Sequence, residues 1–328
     1  MGGEEQRARL SAVSATRVLH HVAPASLETT RAKFPDVEFV PVPKEGDLGD
    51  DIHGDVLLTT AIGGPNLTEV LARGVRWVHT IGTGVDRFPL DAIRPGQVLT
   101  CSRGASAIPI SEWVLAVMLA HAKRVPDIFV TDAPERWYQV PGGGTLGGLY
   151  GRRLAVLGLG GIGLEVARRA LAFGMEVRAL RRTPRPSELP GVEVVSDART
   201  AVEGAHVIVV SAPATAETRH LVNAALLDAV QPGVHLINIA RGSLIDQDAL
   251  RAALDDGRVG HATLDVTDPE PLPAGHWLYH HPSVHISPHI SWSMPESDEL
   301  LYETFRANLA RWIEGRPLEG VVDLEAGY

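Results

Sequence analysis

LAVLGLGGIGLEVARRALAFG, residues 154–174, is the stretch on which the fold turns. Leu154 to Leu157 form a short apolar run of the kind a fully buried strand needs. Gly158, Gly160 and Gly163 follow at once, and the residues after them have helical periodicity. Each glycine has a separate task in a strand–turn–helix unit. Gly158 permits the tight turn, Gly160 lets backbone come close to a pyrophosphate, and Gly163 lets the helix pack against the strand. The amides of the helix start, around Gly161 and Ile162, then face the phosphates. In this context the motif predicts a dinucleotide site rather than an ordinary glycine turn.

Downstream, the runs VRAL (177–180), VEVV (192–195), HVIVVSA (206–212), VHLINIA (234–240), HATLDV (261–266) and VHISPH (284–289) alternate with helix-like segments. That pattern predicts a doubly wound, Rossmann-type parallel sheet. Upstream, VLHHV (18–22), VEFVPV (37–42) and DVLLTT (55–60) predict strands of another parallel sheet. From Ile108 to Val125, Trp113, Val114, Val117, Met118 and Ala122 recur near a period of 3.6, the mark of a buried helix. It is longer and more apolar than one domain face needs and is expected to extend past Pro126. The first fifteen residues lack periodicity and are expected to fray, and the Gly/Pro-rich PGGGTLGGLYG (141–151) leads into the glycine motif.

Composition narrows the function. The chain has 328 residues, 45% apolar and 21% charged, enough for about two globular domains with large cores. Forty acidic against thirty basic residues give a net charge of −10, which disfavours a general nucleic-acid surface. The longest apolar run, Trp113 to Ala120, is too short to span a membrane, and the polar start MGGEEQRARL has no secretory core. Gln6 stands where a myristoylation signal wants Ser or Thr. A single cysteine, Cys101, fits a reducing cytoplasm and excludes an intrachain disulfide.

Cofactor choice is read at the end of the strand after the glycine motif. An NAD site usually has an acid there, whereas this chain runs Ala179, Leu180, Arg181, Arg182, Thr183 and then Arg185. Adjacent guanidiniums suit a 2′-phosphate, to which arginine donates bidentate hydrogen bonds. NADP(H) is therefore favoured, with NAD(H) still open.

Five further segments, in order, carry a resemblance: IGTGVD (81–86), INIARGSLID (237–246), LDVTDPEPLP (264–273), SPHISW (287–292) and VVDLEAGY (321–328). From about Gly82 to the C-terminus the chain resembles the D-isomer-specific 2-hydroxyacid dehydrogenase family, in particular its glyoxylate/hydroxypyruvate reductases. The resemblance implies an α/β protein of two doubly wound parallel-sheet domains. A Rossmann cofactor domain (106–290) would be inserted in a flavodoxin-like substrate domain (1–105 and 291–328), with the catalytic cleft between them and the chain crossing near Arg103–Gly104. It also implies a cytoplasmic homodimer acting on a small 2-oxo or 2-hydroxy acid.

By the same resemblance the catalytic set is Arg241, Glu270 and His289. Taken singly, each has a bland reading as a loop cap, a solvated carboxylate or a strand-end polar residue. Together they make chemical sense. Reducing a 2-oxo acid needs a proton donor for the developing alkoxide, and histidine is suited to that near neutral pH. A carboxylate bonded to the ring fixes its orientation and favours the charged form. A guanidinium holds the substrate carboxylate and polarises the carbonyl. Thr83 and Gly84 are expected to offer backbone amides to the carboxylate. Asp265 is expected to face the nicotinamide amide, and Ser211, Pro213, Thr218 and Ala240 to line the cofactor. Trp292 is either a wall of the substrate pocket or an interdomain packing residue.

Two other function classes compete: a dinucleotide-sensing corepressor or scaffold on the same fold, and another Rossmann enzyme such as a methyltransferase. Neither explains the three catalytic segments. His276, His280, His281, His285 and His289 suggest a metal site at first sight, but Pro282 and Pro288 break any helix that could align them. No metal is expected.

Overall fold

The computed structural model describes residues 16–125, 127–129, 145–183 and 185–328. The frayed start and the helical extension past Pro126 expected above lie largely outside the described residues. The chain packs as two compact units, Met1–Ala105 with Asp298–Tyr328, and Ser106–Ser297.

In the first unit five parallel strands, β1 (Arg17–His20), β2 (Glu38–Pro41), β3 (Val56–Thr60), β4 (Trp77–Ile81) and β5 (Val98–Cys101), lie in the order β2-β1-β3-β4-β5. This is the flavodoxin-like order. Strands β3 and β4 are buried on both faces, as parallel sheets covered by helices require. The first three strands match the sequence reading. The last two were not read from sequence, because His79, Thr80 and Thr100 make them look polar. Their polar atoms are paired inside: Trp77 Nε1 donates to Thr100 Oγ1 at 2.9 Å, and His79 Nδ1 lies 2.8 Å from the same oxygen. Burial with no charged partner pushes the His79 pKa down to about 3. Trp77 stacks on Phe305 of the helix Ser297–Ile313, which brings the C-terminal segment onto this unit's sheet. Val321 bridges to Thr100, and Val322 N donates to Leu99 O at 2.9 Å.

The second unit has seven parallel strands: β6 (Arg153–Leu157), β7 (Glu176–Leu180), β8 (Val192–Val195), β9 (Val207–Val210), β10 (Val234–Asn238), β11 (Val259–Leu264) and β12 (Val284–Ile286). Their order is β12-β11-β10-β9-β6-β7-β8, a doubly wound sheet that reverses direction of winding between β6 and β9. All seven were read from sequence. One apolar cluster on this sheet contains Leu157, Ile208, Leu236 and Leu264, and a second contains Val156, Val209 and Ile237. Because neighbouring residues of a strand point to opposite faces, Leu157 and Val156 feed the two different clusters.

The helix Ala107–Lys123 joins the second of these clusters through Ile110, Val114, Leu115 and Met118. Pro109 sits in its first turn, where a missing amide hydrogen costs nothing. The helix ends at Arg124, whose φ of +54° is left-handed.

Beneath the sheet, His121, His235, His261 and His285 form a run of ring contacts with centroids 4.4–5.1 Å apart. His261 Nε2 and His285 Nδ1 are 3.2 Å apart. Burial first, and then mutual repulsion, holds the His261 pKa down to about 4 and that of His235 well below the ordinary value.

Candidate functional site

The sheet of the second unit gathers the sequence-selected cofactor and catalytic residues on one edge. Because its strands are parallel, the residues that follow β12, β11, β10, β9, β6 and β7 all emerge at the same C-terminal side. In sheet order these are His289, Glu270, Arg241, Ser211 to Pro213, the glycine turn, and Arg181 to Thr183. The turn lies at the reversal point of the sheet, where doubly wound folds bind ligands.

Two of the three glycines are forced by their neighbours. Gly158 has φ +110°, and a Cβ on it would lie 2.5 Å from Ala212 N. A Cβ on Gly163 would lie 2.2 Å from Gly158 O, so the helix Gly161–Ala172 packs directly on the turn. Gly160 is different: its φ of −90° suits any residue, and a Cβ there would meet nothing within 4 Å. The protein itself does not require this glycine. The space beside it, next to the first-turn amides of Gly161, Ile162 and Gly163, is what a pyrophosphate would fill, and no side chain caps that helix. The residues present therefore fit a dinucleotide. Ser211 Oγ donates to Gly158 O at 2.7 Å and ties β9 to the turn. Thr218 Oγ1 donates to Pro213 O at 2.6 Å and also accepts from Thr215 N, closing its own loop.

At the far end of β7, Arg181 is engaged within the protein. Its guanidinium donates to Leu159 O at 3.2 Å, Pro186 O at 3.2 Å and Glu188 Oε2 at 2.9 Å. Arg182 and Thr183 are exposed beside it.

Past β10, Asn238 shapes the loop that carries Arg241. Its Nδ2 donates to Arg241 O at 2.8 Å, and its Oδ1 accepts from Ala240 N at 3.0 Å. Arg241 Nη1 donates to Ala240 O at 2.7 Å. A Cβ on Gly242 would lie 2.0 Å from the carbonyl carbon of Thr267, so this loop packs tightly on the segment leading to Glu270. Glu270 is held between two cis prolyl bonds, Asp268–Pro269 and Glu270–Pro271.

His289 Nδ1 lies 2.6 Å from Glu270 Oε1, a charge-assisted distance. Their side chains are 38% and 41% exposed, so the pair remains open to a substrate. Asp265, by contrast, is buried. Its Oδ1 accepts from Ser287 Oγ at 2.6 Å and Ile290 N at 2.9 Å, and its Oδ2 accepts from Ser291 N at 3.0 Å. Trp292 Nε1 donates to His289 O at 2.9 Å and clasps the same loop.

Thr83 and Gly84 follow β4 of the first unit, after Gly82 at φ +136°; Cys101 Sγ donates to Thr83 O at 3.7 Å. Four of the five histidines of 276–289 point to separate partners. His276 caps Leu278 N, His281 lies 3.5 Å from Asp255, His285 meets His261, and His289 meets Glu270. Among the described residues no group of three or more potential ligands could hold a metal ion. No helix among them is long and apolar enough to cross a membrane.

Sequence reading missed Asn238, Ser287 and Glu188. Asn238, a lone amide ending an otherwise apolar strand, was a usable signal. Ser287 and Glu188 offered none, because their importance depends on partners 22 and 7 residues away.

A glycine turn at the reversal point of a parallel sheet, with a paired imidazole and carboxylate on the same edge, is the architecture of a dinucleotide-binding α/β protein. The chain belongs to the D-isomer specific 2-hydroxyacid dehydrogenase family, whose NAD binding domain model matches residues 115–291. It is 31% identical over 288 residues to D-3-phosphoglycerate dehydrogenase of Bacillus subtilis, an alignment covering 85% of this chain and 54% of that one. The chain thus spans about half the length of that relative. It is 30% identical over 296 residues to glyoxylate/hydroxypyruvate reductase A of Serratia proteamaculans, covering 85% of this chain and 90% of the relative. Among solved structures, a D-isomer specific 2-hydroxyacid dehydrogenase from Xanthobacter autotrophicus Py2 in complex with NADPH and MES superposes with a TM-score of 0.80. It is 27% identical, and the match covers 96% of this chain and all of that one.

Proposed function

We propose that the protein reduces a small 2-oxo acid, of the glyoxylate or hydroxypyruvate kind, to its 2-hydroxy acid, with NADP(H) favoured over NAD(H). The observation that carries this reading is the 2.6 Å His289–Glu270 hydrogen bond on the sheet edge that also bears the glycine turn. The reductase named in Serratia and the NADPH bound by the Xanthobacter protein support the substrate class and the cofactor.

Gly158 to Gly163 would hold the reduced dinucleotide, which when bound would supply a hydride to C2 of the oxo acid. Glu270 holds Nδ1 of His289, which leaves Nε2 to face the substrate and deliver the proton to its oxygen. Arg241 holds the substrate carboxylate and polarises the carbonyl as charge builds. Ala240, Ser211, Pro213 and Thr218 line the cofactor side of this edge. Asp265, expected to face the nicotinamide, is buried with its carboxylate taken up by Ser287, Ile290 and Ser291 and positions the His289 loop instead. Residues 106–290 act as the cofactor domain, and 1–105 with 291–328 as the substrate domain. The protein works as a homodimer through the helix Ala107–Lys123, whose Ile108 is exposed.

The test is oxidation of NADPH and NADH, measured separately, against a panel of 2-oxo acids. Turnover of glyoxylate or hydroxypyruvate with NADPH preferred is expected. Tight dinucleotide binding without turnover of any member would replace the enzyme by a dinucleotide sensor.

A further inference from the structure

The ribose edge contains an acid that linear reading could not place. Glu188 lies seven residues past Arg181, on the loop after β7, and each of its carboxylate oxygens takes one arginine. Oε2 is 2.9 Å from Arg181 Nη2, and Oε1 is 3.2 Å from Arg185 Nη2. The same Arg181 Nη2 donates to Leu159 O, inside the glycine turn. The carboxylate is therefore anchored beside the turn through an arginine whose side chain is only 10% exposed, while its own side chain is 54% exposed. The two guanidiniums hold the Glu188 carboxyl below its ordinary range, so it is an anion at neutral pH.

We propose that Glu188 sets cofactor choice, by occupying the guanidiniums a 2′-phosphate needs and by offering its own carboxylate to an unphosphorylated ribose. This deepens the NADP(H) reading above and rests on its placing of the ribose at the end of β7. A carboxylate between two guanidiniums meets the same donors that a phosphate would use. NADP(H) must displace it and bring a second anion close to it. NAD(H), whose ribose hydroxyls donate, can be accepted by Glu188 in place. The edge thus combines arginines that favour one cofactor with an acid that restrains that preference, and the protein uses both dinucleotides.

The experiment is equilibrium titration of the full-length protein with NADPH and with NADH, followed by nicotinamide fluorescence, for the parent, Glu188→Gln and Arg181→Gln. Glu188→Gln keeps the size and removes the charge. It is expected to tighten NADPH by about 10-fold, at the low end for a charge-assisted pair because the site is exposed. NADH is expected to stay the same or weaken. An unchanged or lower NADPH:NADH affinity ratio in Glu188→Gln overturns the proposal. Arg181→Gln shows how far the failure reaches. If it weakens NADPH selectively while Glu188→Gln changes nothing, Glu188 is a bystander and the phosphate edge stands. If it affects both cofactors equally, the ribose is not read at this edge and the NADP(H) reading falls too.

Discussion

Asp265 brackets His289. The backbone oxygen of Asp265 accepts from His289 N at 2.9 Å, and its buried carboxylate accepts from residues 287, 290 and 291 on either side. His289 has φ +52°, a left-handed conformation that non-glycine residues adopt only when their surroundings hold them there. Asp265 supplies that hold. Asp265→Asn places an NH2 group against hydroxyl and amide donors, and a buried unsatisfied group costs about 1–3 kcal/mol. For a unit of this size each kcal/mol lowers Tm by about 2–4 °C, so the expected fall is about 2–12 °C. Activity should fall with it through kcat rather than dinucleotide affinity. An unchanged Tm would show that the network does not hold the loop.

Gly158 and Gly160 separate folding from binding. Gly158→Ala meets Ala212 at 2.5 Å in a left-handed conformation and should destabilise the protein by about 3 kcal/mol. Gly160→Ala meets nothing and has ordinary backbone, so Tm should stay within about 1 °C. Its added methyl points into the proposed pyrophosphate space, and NADPH Kd should rise by at least about 10-fold, equivalent to 1.4 kcal/mol. Thermal melts and cofactor titrations of both variants check this. Full affinity in Gly160→Ala would move the phosphates elsewhere.

Buried histidines make stability acid-sensitive in both units. Burial holds His79 at a pKa of about 3, His21 and His261 at about 4, and His235 well below 6.5. Above pH 6.5 these rings are neutral whether the chain is folded or not, and they contribute no pH dependence. As pH falls below 6.5 the unfolded chain takes up protons that the folded chain refuses until about pH 3–4, so stability drops. One refused proton costs about 2 kcal/mol at pH 5. Melting followed from pH 7.5 to 5 should show a progressive loss of Tm, and His79→Asn should reduce its slope. A Tm independent of pH over that range would mean that the rings protonate without opening the fold.

The glycine turn and the strands around it were legible because strand periodicity and tight turns are written locally. Arg241, Glu270 and His289 were instead singled out by the family resemblance, and each alone looks like an ordinary loop or strand-end residue. Strands β4 and β5 were not legible, since His79 and Thr100 satisfy each other across neighbouring strands. Asp265 was visible as a strand-end acid, yet its direction was not, because its partners lie 22–26 residues away. The arginines after β7 were visible in the sequence as a basic cluster. Sequence could not show that Glu188 folds back onto them.

The most direct test of the central claim is single-turnover reduction of glyoxylate by His289→Ala with saturating NADPH. General acid catalysis contributes about 10²–10⁴-fold. The expected result is a fall of that size in the chemical step with NADPH Kd unchanged within about twofold, since the proposed role gives Nε2 to the substrate rather than to the cofactor. Glu270→Gln, which keeps the shape but removes the charge against Nδ1, should lose rate in the same step. A His289→Ala protein that reduces glyoxylate within about threefold of the parental rate would contradict the account and leave His289 as a strand-end polar residue.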